Sequence, residues 1–174
     1  MKKTILVTII FIILNSGCSL FNSTRIPPLQ IPIDLSTKGN IAETEFRIGE
    51  DGWSYDISFD FITKKYIIDQ GKSYKTMFRL IEGTSINNFP NKKIDEGIII
   101  PIRVSLFIKN KEDNVLFLEK LYITKGATSW GSDFIERDIL NTPLKKGKYL
   151  IRVESQKEIS RLKDIKVLVV LRKF

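Results

Sequence analysis

Two aspartates in WSYDISFDF, residues 53–61, are the first side chains in this sequence whose type and spacing invite a chemical reading. Paired carboxylates can divide acid and base work when their environments push their pKa values apart. Asp56 and Asp60 lie four residues apart on one face of an alternating segment, so at ~3.3 Å per residue their Cα atoms are roughly 13 Å apart. That exceeds the usual span of glycosidase carboxylates. Trp53, Tyr55, Ile57, Phe59 and Phe61 fill the other face, which predicts a half-buried strand whose Ser and Asp positions stay wet. The sequence has no histidine, which removes His-dependent triads and dyads and most zinc sites. No Walker pattern, glycine-rich phosphate loop or calcium-loop spacing is present. The expectation is a protein that is not an enzyme and needs no cofactor or metal.

The only cysteine, Cys18, lies in a more telling context. MKKTILVTIIFIILNSGCSL opens with two lysines, continues with an apolar run from Ile5 to Leu14, and ends in small residues before the thiol. This is the layout of a secretory signal peptide, and the run is shorter than the ~20 residues a membrane-spanning helix needs. Ser16, Gly17 and Cys18 resemble the lipobox of a bacterial lipoprotein signal, although Asn15 stands where that pattern usually has Leu. The resemblance implies cleavage after residue 17 and acylation of Cys18, as by palmitate, giving the membrane as a partner through an N-terminal lipid anchor. Ser19 lacks the Asp that retains lipoproteins in the inner membrane, which implies an outer-membrane protein facing the periplasm. No cysteine then remains for a disulfide, so the fold must rest on its core.

The chain has 174 residues and a formal charge of +8. Removing residues 1–17, with Lys2 and Lys3, leaves +6, distributed as −1 over residues 18–97 and +7 over residues 98–174. The basic residues are scattered and not interleaved with aromatics, so nucleic acid is not an expected partner.

Hydropathy patterning divides the chain into a signal peptide at 1–17, a lipidated tether at 18–28 and a β-sandwich domain at 29–174. IPIDL reads as an edge strand because Pro32 lacks a ladder donor. Residues 43–61 read as a hairpin about the Glu-Asp-Gly turn. Tyr74, Met77, Phe78 and Ile81 share one helical face, with Gly83 as a stop. Residues 84–97 read as the longest loop. IIIPIRVSLFIK and VLFLEKLYI form a hairpin whose return strand, with two mixed faces, is either central or twisted. Further strands run from Phe134 to Ile139, through LIRVES, and through DIKVLVVLRKF. About eight strands with one short helix predict an all-β, antiparallel Greek-key-like sandwich. LKKGKY, with Leu144, Gly147 and Tyr149, resembles a tyrosine corner, in which the Tyr hydroxyl bonds backbone a few residues upstream.

For recognition, Trp130 in GATSWGSD and Phe89 before Pro90 are the candidate partner-binding residues, since aromatics on small-residue loops are frequent interface anchors. Trp130 can equally fold back and cap the core.

The aromatic strand at 53–61, the IPIRVSLFI strand and the LKKGKY corner together resemble small bacterial lipoproteins of the domain of unknown function 5625. The resemblance implies an envelope β-sandwich and supplies no catalytic residues. The functional expectation is a displayed domain that binds a protein partner, such as an immunity protein against a secreted toxin or an envelope adaptor. The alternative is a general envelope component that contacts cell wall or anionic lipid through its basic C-terminal half.

Overall fold

The structure, a computed structural model, describes residues 25–63, 74–83 and 97–174. Its strands are β1 (Leu29–Ile33), β2 (Ile41–Ile48), β3 (Trp53–Ile62), β4 (Ile100–Lys109), β5 (Asn114–Thr124), β6 (Ser129–Trp130), β7 (Phe134–Leu144), β8 (Gly147–Ser155) and β9 (Val167–Lys173). One α-helix, α1 (Tyr74–Glu82), and a 3-10 turn at Ser160–Leu162 complete the described elements.

Two antiparallel sheets face each other, ordered β1-β9-β3-β7-β6 and β2-β8-β4-β5. Alternation along the strands aims one side chain in two at the shared interior. Ile57, Phe59 and Phe61 from β3 meet Ile100, Ile102, Val104 and Leu106 from β4, with Ile151, Val153, Val169 and Leu171, in one buried cluster. Phe59 and Phe61 pack edge to face, with ring centroids 6.1 Å apart. β1 is the edge strand that Pro32 calls for, pairing among the described residues only with β9.

The 43–61 hairpin does not form. β2 pairs with β8 in one sheet, and β3 pairs with β7 and β9 in the other, so the turn at residues 49–52 is an arch between layers. Gly52, at φ 88°, turns the chain, and the Asp51 carboxylate accepts a hydrogen bond from the Lys146 amide in the neighbouring β7–β8 turn. Alternation records a strand's buried face but not its hydrogen-bonding neighbour.

The wet outer face of β3 also needs correction. Asp56 is partly exposed and accepts from the Asn141 side chain. Ser58 and Asp60 are buried, at 0 % and 7 % exposure. Asp60 pairs across the ladder with Glu136 on β7 and Leu168 on β9, and those neighbours shield it.

The far end of the interior is closed by a charged side chain. Arg137 on β7 lies opposite Phe59 on the inward face and is fully buried. Its guanidinium donates to the carbonyl oxygens of Ile81 at 2.6 Å, Ile98 at 2.8 Å and Thr124 at 3.3 Å, and also to Gly126. It stands 5.5 Å from the centroid of the Phe61 ring. Four chain segments thus share one donor fork, and the carbonyl of Ile81 belongs to the last turn of α1, where a cation complements the helix dipole. Burial lowers the Arg137 pKa to about 10, opposed by the nearby Glu82, so the side chain remains a cation at neutral pH. Gly97, at φ 72°, fits the same junction, where a Cβ would come within 2.4 Å of the Ile81 oxygen.

Arg137→Leu should cost about 3–5 kcal/mol, because removing the donor leaves buried carbonyls unpaired. Arg137→Lys should recover only part of this, since an ammonium cannot reproduce the fork. Denaturant unfolding of both variants measures the effect, and a change in either variant below about 1 kcal/mol would contradict the role assigned to this side chain.

Candidate partner-binding edge

Among the described residues, β5 is the outer strand of the four-stranded sheet and pairs only with β4. This resolves the central-or-twisted alternative: the strand is an edge, and its mixed phase comes from a bulge. The register passes from Leu106↔Leu118 to Phe107↔Leu116, leaving Phe117 without an opposite residue. The Phe117 ring meets Tyr149 edge to face, with centroids 6.4 Å apart.

Eleven residues give this edge a length of ~35 Å. Val115, Leu116, Phe117, Leu121 and Ile123 along it are between 46 % and 70 % exposed. The rest of the sheet's outer surface has a different character, with ion pairs Arg152–Glu43, Arg103–Glu154 and Lys109–Glu45 crossing β2, β8 and β4. On β5 itself, Glu119 accepts from the Ser105 hydroxyl at 3.0 Å, and the Lys120 ammonium lies 5.2 Å from the Tyr122 ring centroid. Sheet edges are usually blunted by charge, proline or a covering element. Here the charged residues turn to neighbours in their own sheet, and the apolar ones face outward.

Trp130 lies on the same side of the sandwich. It forms β6 with Ser129, at the edge of the opposite sheet, and pairs with Ile135. At 64 % exposure it does not cap the core. Its ring stands edge-on to Phe78 of α1, with centroids 5.6 Å apart. Residues 125–128 connect β5 to β6, so Trp130 continues the apolar edge that ends at Ile123. Phe89 and Cys18 fall outside the described residues.

The tyrosine corner closes the opposite end of the sandwich. The Tyr149 hydroxyl donates to the Lys145 carbonyl at 2.9 Å, with Leu144 buried beside it. Phe46 stacks on the Tyr149 ring at 5.5 Å. Burial chiefly pushes the phenol pKa up, against the lowering effect of that hydrogen bond.

The acidic groups on the outer face of the other sheet form a separate cluster. Glu136 is buried, ion-pairs with Arg172 and accepts from the Ser129 hydroxyl at 2.5 Å. Burial raises the Asp60 carboxyl, partly opposed by Arg172. Among the described residues, Ser58 Oγ and Asp60 Oδ1 have no hydrogen-bond partner. The juxtaposition of Asp60 with Glu136, rather than with Asp56, was invisible in the sequence because it depends on pairing across sheet neighbours. No group of three or more potential metal ligands occurs among the described residues.

With the two sheets and their edges defined, the chain can be set beside known proteins. It matches the domain of unknown function 5625 over residues 30–173. The chain belongs to the DUF5625 family. A crystal structure of a Sulfurospirillum deleyianum protein is similar, with 26 % identity and a TM-score of 0.68 over 83 % of this chain and 96 % of that one. No curated protein matches the chain. DUF5625 membership and the two-sheet architecture agree with the fold that the strands at 53–61 and 100–109 and the 144–149 corner implied.

In this DUF5625 protein, the raised Asp60 pKa makes a signed prediction. Between its ordinary value of 3.8 and its higher folded value, the native state holds more protons than the unfolded state, so this group's contribution to stability falls as pH rises. Asp60→Asn should remove that slope and be at least as stable as the parent at neutral pH. Urea midpoints of both proteins across the acid range measure the difference, and a marked loss of stability on substitution would contradict it.

Proposed function

We propose that this protein is a non-catalytic, lipid-anchored component of the bacterial envelope whose β5 edge receives a protein partner. The supporting observation is the long outer strand with five large apolar side chains exposed along it. A partner segment can add to such an edge as another strand, with main-chain hydrogen bonds supplying affinity and alternate side chains supplying specificity. Trp130 extends the contact beyond the strand, and aromatic anchors of this kind carry a large share of interface energy. An immunity protein against a secreted toxin and an envelope adaptor both fit this reading. The anchor rests on Cys18 behind the signal-like segment, with an outer-membrane, periplasm-facing address. Among the described residues, no helix is long and apolar enough to cross a membrane.

Affinity capture with the full chain, from cell envelope and culture supernatant, should retain one stoichiometric protein at high salt. Leu121→Glu with Ile123→Glu should leave the exposed edge folded and weaken that capture by at least about thirtyfold, the loss expected of a contact worth about 2 kcal/mol. Recovery of salt-labile cell-wall or lipid material alone would contradict the proposal and favour the general envelope role. Cys18→Ser should release the protein from membranes, and persistent attachment would contradict the anchor.

A further inference from the structure

The sandwich end from which residue 25 leads back toward Cys18 has its own surface chemistry. Strand registers bring five segments to this end. Leu29 lies opposite Leu171, Trp53 opposite Leu144, Ile48 opposite Gly147, and Lys109 opposite Asn114. The arch at 49–52, the turns at 110–113 and 145–146, residues 25–28 and residues 173–174 therefore cluster together. The Arg25 carbonyl is held by the Arg47 amide at 2.8 Å, which fixes where the preceding chain departs.

Three large apolar side chains are exposed here: Ile26 at 70 %, Trp53 at 44 % and Phe174 at 79 %. The Lys173 ammonium stands 3.5 Å from the centroid of the Trp53 ring. Beside them a cleft of about 240 Å³ is lined by Ile26, Pro27, Arg47, Tyr55 and Lys173, with Gly49 and Glu50 completing it. Exposed Arg25, Lys111, Lys145 and Lys146 surround this patch, together with the acidic Glu50, Asp51, Glu112 and Asp113. Basic charge exceeds acidic charge on this end, and the cleft holds two cations against one carboxylate.

We propose that this end is a membrane-docking face that accepts a bilayer carrying anionic headgroups. The inference rests on the lipid-anchor reading, because the tether decides which surface can reach lipid. Arg25 lies seven positions after Cys18, a reach of at most ~25 Å. β3, ten residues long, spans ~33 Å, so the opposite end lies beyond that reach. Trp and basic side chains suit the headgroup layer, where an amphipathic ring and a snorkelling cation each find both environments. Arg47 and Lys173 would meet lipid phosphate at the cleft, with Trp53 and Ile26 entering the apolar boundary. The strands would then stand away from the bilayer, projecting Ile123 and Trp130 toward the periplasm.

The test uses full-length, membrane-reconstituted protein with brominated acyl chains as quenchers, in vesicles of phosphatidylcholine with and without phosphatidylglycerol. Trp130→Phe leaves Trp53 as the sole tryptophan, and Trp53→Phe leaves Trp130. Trp53 emission should be quenched in phosphatidylglycerol vesicles while Trp130 emission is not, and Arg47→Glu with Lys173→Glu should abolish the quenching. Equal quenching of the two, or none at Trp53, would overturn the docking face. The mass of the Cys18 peptide reports acylation independently. An acylated protein with unquenched Trp53 overturns only the docking face, whereas an unmodified Cys18 overturns the anchor.

Discussion

The guanidinium of Arg137 gathers, inside the sandwich, four main-chain carbonyl groups that converge on it. Those carbonyls come from the end of α1, the approach to β4, the end of β5 and the link to β6. Apolar packing alone could not close this end, because main-chain acceptors converge there and each would be costly to bury unpaired. An arginine fits because its planar fork offers several donors in fixed directions while its stem packs beside Phe61. Burying the charge has a cost, seen in the lowered pKa, and the nearby Glu82 together with the carbonyl dipoles offsets it.

The position of β5 follows from this arrangement. Its final residue, Thr124, is tied from two directions, by the Arg137 fork through its carbonyl and by its own hydroxyl to the Ile100 oxygen at 3.1 Å. At the other end, Phe117 rests against Tyr149, whose hydroxyl fixes the β7–β8 corner. The strand is therefore secured at both ends and along β4, while among the described residues its outer side has no strand neighbour. A firmly held edge loses little freedom when a partner strand adds to it, which favours recognition by main-chain pairing.

Much of the fold was legible because strand alternation reports burial directly. The inward positions of β3 and β4, the edge character of β1, the helix from Tyr74 with its Gly83 stop, and the corner at Tyr149 all follow from local spacing. Partnership across sheets was not legible: a run of alternating residues reads the same in a hairpin and in an arch, which is why β2 and β3 were expected to pair. The exposed edge was half visible, since the mixed faces of β5 recorded the bulge without saying on which side of β4 the strand would lie. Arg137 left a clearer signal. In FIERDI it alternates in phase with Ile135, the mark of an inward-facing charge, and only the three-dimensional convergence of carbonyls explains it. Asp60 was misplaced for a related reason, because its shielding comes from β7 and β9 and not from its own strand.

Amide hydrogen exchange on the isolated full chain, resolved along β5, tests most directly the claim that a well-secured sandwich leaves this edge open. In an antiparallel edge, the amides that do not face β4 have no ladder partner. These alternate β5 amides should exchange quickly, while those of β3, β4, β8 and β9 remain protected. Uniform protection along β5 in the isolated protein would mean that its outer side is already covered, and would contradict the account.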